Sequence, residues 1–195
     1  AEVILNTRKL DIGYGNTCIA KNLMLSLYAG EMVCLIGPNG CGKSTLIRTL
    51  VGLQDALGGK IEIKNKKLNK ISLSEKSKLI SWVLTDTMPT GSLKVSEIVE
   101  MGRFPYTNWF GKLSEKDKNI IDNAINAVHL SHKKDYRYNS LSDGEKQRTM
   151  IAKALAQDTP IIFLDEPTSH LDLPNTIEIM QLLRELAQKT KKAIL

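Results

Sequence analysis

The sequence predicts an α/β fold: a mainly parallel core sheet, an antiparallel β part at the N-terminus, and a helical insert that interrupts the core. Three observations predict it. The apolar run 32–36 leads straight into a glycine-rich turn and then a helix, the strand–turn–helix unit of a parallel sheet. A second run, 161–164, is apolar at every position, as in a strand buried on both faces. Between them, over about 90–157, the apolar period becomes that of helices.

In chain order, residues 1–30 alternate polar and apolar with turn signals at Gly13, Gly15-Asn16 and Gly30, and are expected to form an antiparallel hairpin region. A strand over 32–36, the glycine-rich turn and a helix over about 43–53 follow. Gly58-Gly59 then opens an expected strand pair, 61–64 with 80–84. Val95, Ile98, Val99 and Met101 lie at helical spacing, and Ile120, Ile121, Ala124, Ile125 and Val128 share one helical face. A helix over 146–157 places Gln147, Met150, Ile151, Ala154 and Leu155 on one side. After the strand 161–164, a helix from about Pro174 is expected to carry Ile177, Met180, Leu183 and Leu186 inward, before a last apolar run at 193–195.

Composition bounds the class. At 195 residues, 42% hydrophobic and 25% charged, the chain reads as a globular protein able to bury a core. No run approaches the ~18 apolar residues of a membrane span, and residues 1–10 are too polar for a secretory signal, so a soluble cytosolic chain is expected. The net charge of +6 suits an anionic ligand, nucleic acid or a membrane surface equally. Much of the excess lies in the lysine-rich runs 64–70 and 189–192, which read as solvated faces because no aromatic residues interleave for base stacking. Cys18, Cys34 and Cys41 are odd in number and lack C-x-x-C spacing, so they read as reduced thiols, and His129, His132 and His170 form no ligand cluster.

Gly37-Pro38-Asn39-Gly40-Cys41-Gly42-Lys43-Ser44-Thr45 matches G-x-x-x-x-G-K-[ST], which predicts a bound nucleoside triphosphate. Gly37, Gly40 and Gly42 are expected to take positive φ and let backbone N–H groups point at phosphate oxygens. Lys43 can reach the β- and γ-phosphates, Ser44 suits Mg²⁺, and Thr45 can donate to the α-phosphate. Cys41 lies inside the loop, so an alkylating reagent there should block nucleotide. Asp165 and Glu166 end the apolar strand at the sheet edge where the phosphate loop opens. Asp165 is expected to hold Mg²⁺ through water and Glu166 to polarise a water for attack on the γ-phosphate. Further back, Leu141-Ser142-Asp143-Gly144-Glu145 opens a helix, and Ser142-x-x-Glu145 alone is a capping box.

The succession of a phosphate loop, a helical insert ending in LSDGEKQR, then FLDEP and Ser169-His170-Leu171-Asp172, resembles the ATP-binding cassette (ABC) ATPase family over essentially all 195 residues. The resemblance implies a P-loop NTPase fold in a single domain, 1–195. Residues 1–89 and 158–195 would form the nucleotide-binding core with its antiparallel part, and 90–157 the helical subdomain. It implies a head-to-tail dimer in which Ser142, Asp143, Gly144 and Glu145 face the ATP of the partner chain, with Ser142 and Gly144 donating to its γ-phosphate. Asp172 would lie at the dimer seam, and Tyr14 matches the aromatic that stacks on adenine.

Departures are visible. Thr85-Asp86 stands where the family usually has a Gln that touches Mg²⁺ and senses the membrane partner, and Thr85 is too short for that contact. Asp143 replaces a more usual glycine, offset by Lys146 or by the helix terminus. The family's switch histidine falls beyond 193–195, so a C-terminally truncated chain is expected. Gly102-Arg103-Phe104-Pro105-Tyr106 followed by Leu113-Ser114-Glu115-Lys116-Asp117 looks like importers of iron–siderophore, haem or cobalamin. There Phe104, Tyr106, Trp109 and Phe110 fit either a docking surface for the membrane subunit or the insert's own small core.

The resemblance implies an ATP- and Mg²⁺-dependent ATPase subunit of a metal-chelate importer, bound through permease subunits to the cytoplasmic face of the membrane. Two alternatives remain at this stage: a soluble cassette protein acting on nucleic acid or the ribosome, supported by the +6 charge alone, and a nucleotide-binding regulatory module without turnover, motivated by Thr85 and the missing histidine.

Overall fold

The computed structural model describes residues 2–84, 92–107, 111–169 and 171–195. Strand β1 (Val3–Tyr14) turns at Gly15-Asn16 into β2 (Thr17–Leu23), pairing antiparallel from Tyr14↔Thr17 to Leu10↔Leu23. It also pairs antiparallel with β3 (Ser26–Tyr28) and with β4 (Gly58–Ile63), which folds back on β5 (Lys66–Lys67). The buried positions of β1 change parity, from Leu5 and Thr7 to Leu10 and Ile12. A bulge between Arg8 and Asp11, where Lys9 takes φ 49°, inserts the extra residue that keeps both halves facing inward. Gly13 is not a turn residue but part of β1, where a Cβ would fall 2.0 Å from the Thr17 carbonyl oxygen.

The second sheet has the order β6 (Ile80–Val83), β7 (Ile161–Leu164), β8 (Ala193–Ile194), parallel throughout, with Ile80 opposite Ile161 and Ile161 opposite Ala193. The expected pairing of 61–64 with 80–84 does not form. Helix α2 (Leu73–Leu79), opened by a Ser72–Glu75 capping box, carries the chain from the antiparallel sheet to the parallel one. The expected strand 32–36 also shrinks. Met32 bridges Ile194, and the Val33 N–H donates to the Ile194 carbonyl at 2.8 Å, but Ile36 is 95% exposed. Beyond Val33 no backbone neighbour among the described residues takes up the run's N–H groups, and apolar composition alone does not hold a strand.

Helix α1 (Lys43–Val51) stops two residues short of expectation because Gly52 closes it at φ 81°. In the insert, α3 (Val95–Glu100) runs into a 3₁₀ turn (Met101–Tyr106), and α4 (Glu115–Ala127) and α5 (Asp143–Ala156) follow. Helix α6 (Leu173–Thr190) starts with Pro174 in its first turn, but its inward face is Ile179, Leu182, Leu183 and Leu186. Ile177, expected inside, is 48% exposed, because the sheet meets the helix one position further round.

β7 organises the core: its Ile162 and Leu164 join the helices α3 to α6 in one apolar cluster, while Ile161 and Phe163 join α1 and the antiparallel sheet in another. Both faces of this strand are therefore closed, and only its C-terminal tip is left to carry polar groups. One ion pair is sealed inside the insert. Arg103, 4% exposed, donates from Nε and Nη2 to Asp117 Oδ1, both at 2.9 Å, and from Nη1 to the Ala156 carbonyl at 2.7 Å.

Candidate nucleotide-binding site

The loop 37–42 is shaped by glycines in two ways. Gly40 and Gly42 take φ 79° and 101°, the left-handed region closed to most side chains, and Gly42 caps α1. Gly37 does not take positive φ, against expectation; its constraint is space, since a Cβ there would lie 2.8 Å from the Cys41 sulfur. The Lys43 ammonium donates to the carbonyl oxygens of Gly37 and Pro38 at 2.9 and 3.0 Å, so its charge is held over the loop. Thr45 is buried, and its hydroxyl donates to the Tyr14 phenol oxygen at 3.3 Å, which ties the end of β1 to the loop. Asn39 is exposed on the loop and Cys41 presents an exposed thiol.

Ser44 Oγ donates to Asp165 Oδ1 at 2.9 Å, joining the loop to the tip of β7 across 121 residues of sequence. The Asp165 N–H in turn donates to the Val83 carbonyl at 3.1 Å, continuing the β6–β7 ladder to the last possible residue. Glu166 is exposed and takes φ 51°, a left-handed conformation costing a non-glycine residue about 1–2 kcal/mol. Its carbonyl accepts from the Ser169 N–H and hydroxyl, at 3.0 and 2.9 Å, which holds the bend. Asn39, Lys43, Asp165, Glu166 and Ser169 line a cavity of about 520 Å³ whose other wall is apolar, formed by residues such as Leu35, Leu164 and Met180. Two sequence motifs thus open on one space.

The third does not. None of Ser142, Asp143, Gly144 and Glu145 lines that cavity. Ser142 forms the expected capping box, accepting from the Glu145 N–H while the Glu145 carboxylate accepts from the Ser142 N–H at 3.0 Å. Both acids of this turn are neutralised: Asp143 by Lys146 at 3.1 Å, Glu145 by Lys133 from a 3₁₀ turn at Ser131–Lys133. The Lys133 hydrogen bond is the largest cause holding the Glu145 carboxyl below the usual carboxylate range. Asp172 caps α6, its Oδ1 accepting from the Asn175 N–H at 2.9 Å.

A sequence profile described as ABC transporter matches residues 20–169. The chain belongs to the ABC transporter family. As a cassette it is 38% identical over 192 residues to the iron(3+)-hydroxamate import ATP-binding protein FhuC of Bacillus subtilis, covering 98% of this chain and 71% of that one. Its fold superposes with a TM-score of 0.88 and 30% identity on cbiO1 of Clostridium perfringens, part of the ABC transporter complex cbiONQ, over 100% of this chain and 77% of that one. The dimeric bacterial ABC transporter cassette MJ0796 matches at 27% identity and a TM-score of 0.79, over 98% of this chain and 86% of that one. The chain spans between 66% and 71% of the length of the curated relatives it matches.

Within the cassette, Phe104 is 64% and Tyr106 37% exposed, whereas Thr85, Asp86, Trp109, Phe110 and His170 lie outside the described residues. Sequence reasoning missed three features of the site: the left-handed backbone of Glu166, the Lys133 partner of Glu145, and a contact of Asn175 with Gly144. No residue-type signal marks any of them. No helix among the described residues is long and apolar enough to cross a membrane.

Proposed function

We propose that the cassette binds and hydrolyses ATP as the energy-supplying subunit of an importer for an iron–siderophore, haem or cobalamin-type chelate. The observation that carries it is the Ser44–Asp165 hydrogen bond, which sets a hydroxyl and a carboxylate side by side where the lysine-bearing loop meets the tip of a buried strand. An all-oxygen pair of this kind fits Mg²⁺, with Ser44 and Asp165 as the groups that would hold it. When bound, the ion neutralises charge on the β- and γ-phosphate oxygens.

The chain's own residues do the rest. Lys43 would exchange its two loop carbonyls for phosphate oxygens, the Cys41 N–H would give up the Pro38 carbonyl it meets at 3.3 Å, and with the N–H groups of Gly40 and Gly42 it would face the phosphates with the positive end of α1 behind them. Tyr14, 49% exposed and hydrogen-bonded to Thr45, offers a ring face to adenine. Glu166 accepts a proton from a water whose oxygen attacks the γ-phosphorus; the bond from that phosphorus to the bridging oxygen breaks, leaving ADP and phosphate. Ser142, Asp143, Gly144 and Glu145 lie away from this cavity, so they serve the nucleotide of a second copy, arranged head to tail with Asp172 at the seam. The two copies dock through exposed residues such as Phe104 and Tyr106 on permease subunits at the cytoplasmic face of the membrane. Residues 90–157 act as the docking subdomain and the remainder as the nucleotide-binding core.

The similarity to an iron(3+)-hydroxamate import protein supports the chelate class. The test is ATP hydrolysis measured against protein concentration, with Ser44→Ala and Asp165→Asn beside the wild type. The expected result is a rate rising more steeply than linearly, and a Mg²⁺ requirement shifted to higher concentration in both variants. A linear rate with unchanged Mg²⁺ dependence would contradict the reading.

A further inference from the structure

Gly144 occupies the second position of α5, inside the helix, and its φ is not positive. Backbone freedom therefore does not require a glycine there. Space does: a Cβ at 144 would lie 2.8 Å from Asn175 Oδ1 and 3.2 Å from its Cγ, but 3.8 Å from its Cβ. The obstacle is the amide group of Asn175 and nothing nearer the backbone.

That amide is not free to swing away. Asn175 Nδ2 donates to Asp172 Oδ1 at 2.8 Å, and the Asn175 N–H donates to the same oxygen at 2.9 Å. A carboxylate can only accept, so it fixes the amide with its NH₂ towards Asp172 and its oxygen towards Gly144. The N-termini of α5 and α6 thus abut through one side chain. On the same two helices the Arg148–Glu178 pair, at 2.6 Å, fastens them again.

We propose that Asn175 is a positioning residue that locks the cap of α6 to the Ser142–Glu145 turn that opens α5, so that Gly144 meets a partner's nucleotide, and Asp172 the dimer seam, as one rigid unit. The positioning role rests on the ATPase reading above; the steric contact does not. An aliphatic side chain at 175 would fill the same volume without holding Asp172, and an alanine would release both sides. The interlock explains why a residue outside both motifs would set their relative position.

The test is a double-mutant cycle of Asn175→Ala and Gly144→Ala, with Asn175→Asp as a variant that keeps the oxygen but loses the donor. Thermal midpoints, ATP affinity by calorimetry, and kcat and KM for ATP are read on each purified protein. Gly144→Ala alone is expected to lower the midpoint and to reduce kcat about a hundredfold. In the Asn175→Ala background the same change should be nearly silent, because the closest atom is then at ordinary contact distance. Asn175→Ala and Asn175→Asp should each lower kcat about tenfold with KM and ATP affinity within twofold of wild type. Equal damage from Gly144→Ala in both backgrounds would overturn the contact, and full kcat in Asn175→Ala would overturn the positioning role. Absence of ATP hydrolysis by the wild type would overturn the function and that role together, and the melting cycle would still decide the contact.

Discussion

Replacing Arg103 by alanine probes the strongest internal tie of the insert. The guanidinium makes two bonds to Asp117 and one to the Ala156 carbonyl, and lies 4.0 Å from the Tyr106 ring centroid. Alanine leaves the Ala156 carbonyl without that donor, where an unsatisfied buried group costs about 1–3 kcal/mol. It also leaves Asp117, 8% exposed, with only its Ser114 bonds. Breaking one side of a buried pair typically costs about 3–5 kcal/mol in total. With a urea m-value of about 2 kcal/mol/M, the unfolding midpoint should fall by roughly 1.5–2.5 M.

The pH dependence supplies a second handle on the same residue. Hydrogen bonds from Ser114 first, then Arg103, hold the Asp117 carboxyl below its ordinary value of 3.8. A carboxyl depressed in the folded state contributes stability that is present above its unfolded value and lost as pH falls through the folded one. The cost of Arg103→Ala should therefore be full at pH 7 and shrink as the pH drops below 3.8. Urea unfolding at a series of pH values measures both. A loss under 1 kcal/mol at pH 7, or one that does not change with acid, would refute the assignment of Arg103 as the tie between α4, the 3₁₀ turn and the end of α5.

Three further outcomes are expected. Glu166→Gln should leave ATP affinity within a few fold and reduce hydrolysis by about 10²–10⁴, accumulating an ATP-bound dimer visible by light scattering. In a Cys18→Ser/Cys34→Ser background, which removes the other two exposed thiols, maleimide should abolish ATP binding through Cys41, MgATP should protect, and the further change Cys41→Ser should make binding indifferent to the reagent. Tyr14→Ala should weaken ATP by about 1–2 kcal/mol on calorimetry, in line with base–aromatic stacking, while Tyr14→Phe keeps most of the affinity.

What was legible in the sequence was the chemistry carried by residue type. The loop bearing Lys43 and Ser44 and the strand tip bearing Asp165 were expected on one sheet edge, and the 2.9 Å bond between Ser44 and Asp165 joins them there. What was not legible depended on neighbours. The run 32–36 has strand composition, yet only Met32 and Val33 find a partner in Ile194. The segments 61–64 and 80–84 both read as strands, but nothing in either says that they belong to different sheets. Ile177 fits the helical period of α6 and still points outward, because the period fixes a stripe and the sheet chooses its centre. Lys133 meets Glu145 only because a 3₁₀ turn brings it back onto α5, a placement no local pattern encodes.

The site divides into backbone bends that are already set and polar groups that must exchange partners. Gly40 and Gly42 stand at left-handed φ, and Glu166 is held at φ 51° by two bonds to its carbonyl, so the backbone shape is present before any phosphate arrives. Lys43, Ser44 and Thr45, by contrast, are each engaged: with loop carbonyls, with Asp165 and with Tyr14. Binding a triphosphate trades those contacts for contacts with phosphate, so the free energy gained from each group is a difference between two hydrogen bonds rather than one whole bond. Affinity should then be sensitive to the partners given up as well as to those acquired. Asp165 is the clearest case, since its carboxylate anchors Ser44 beforehand and would bear on the same metal afterwards. On the proposed mechanism, a change at Asp165 would loosen the loop and remove a metal ligand together, whereas a change at Glu166 would alter only the chemistry of the water.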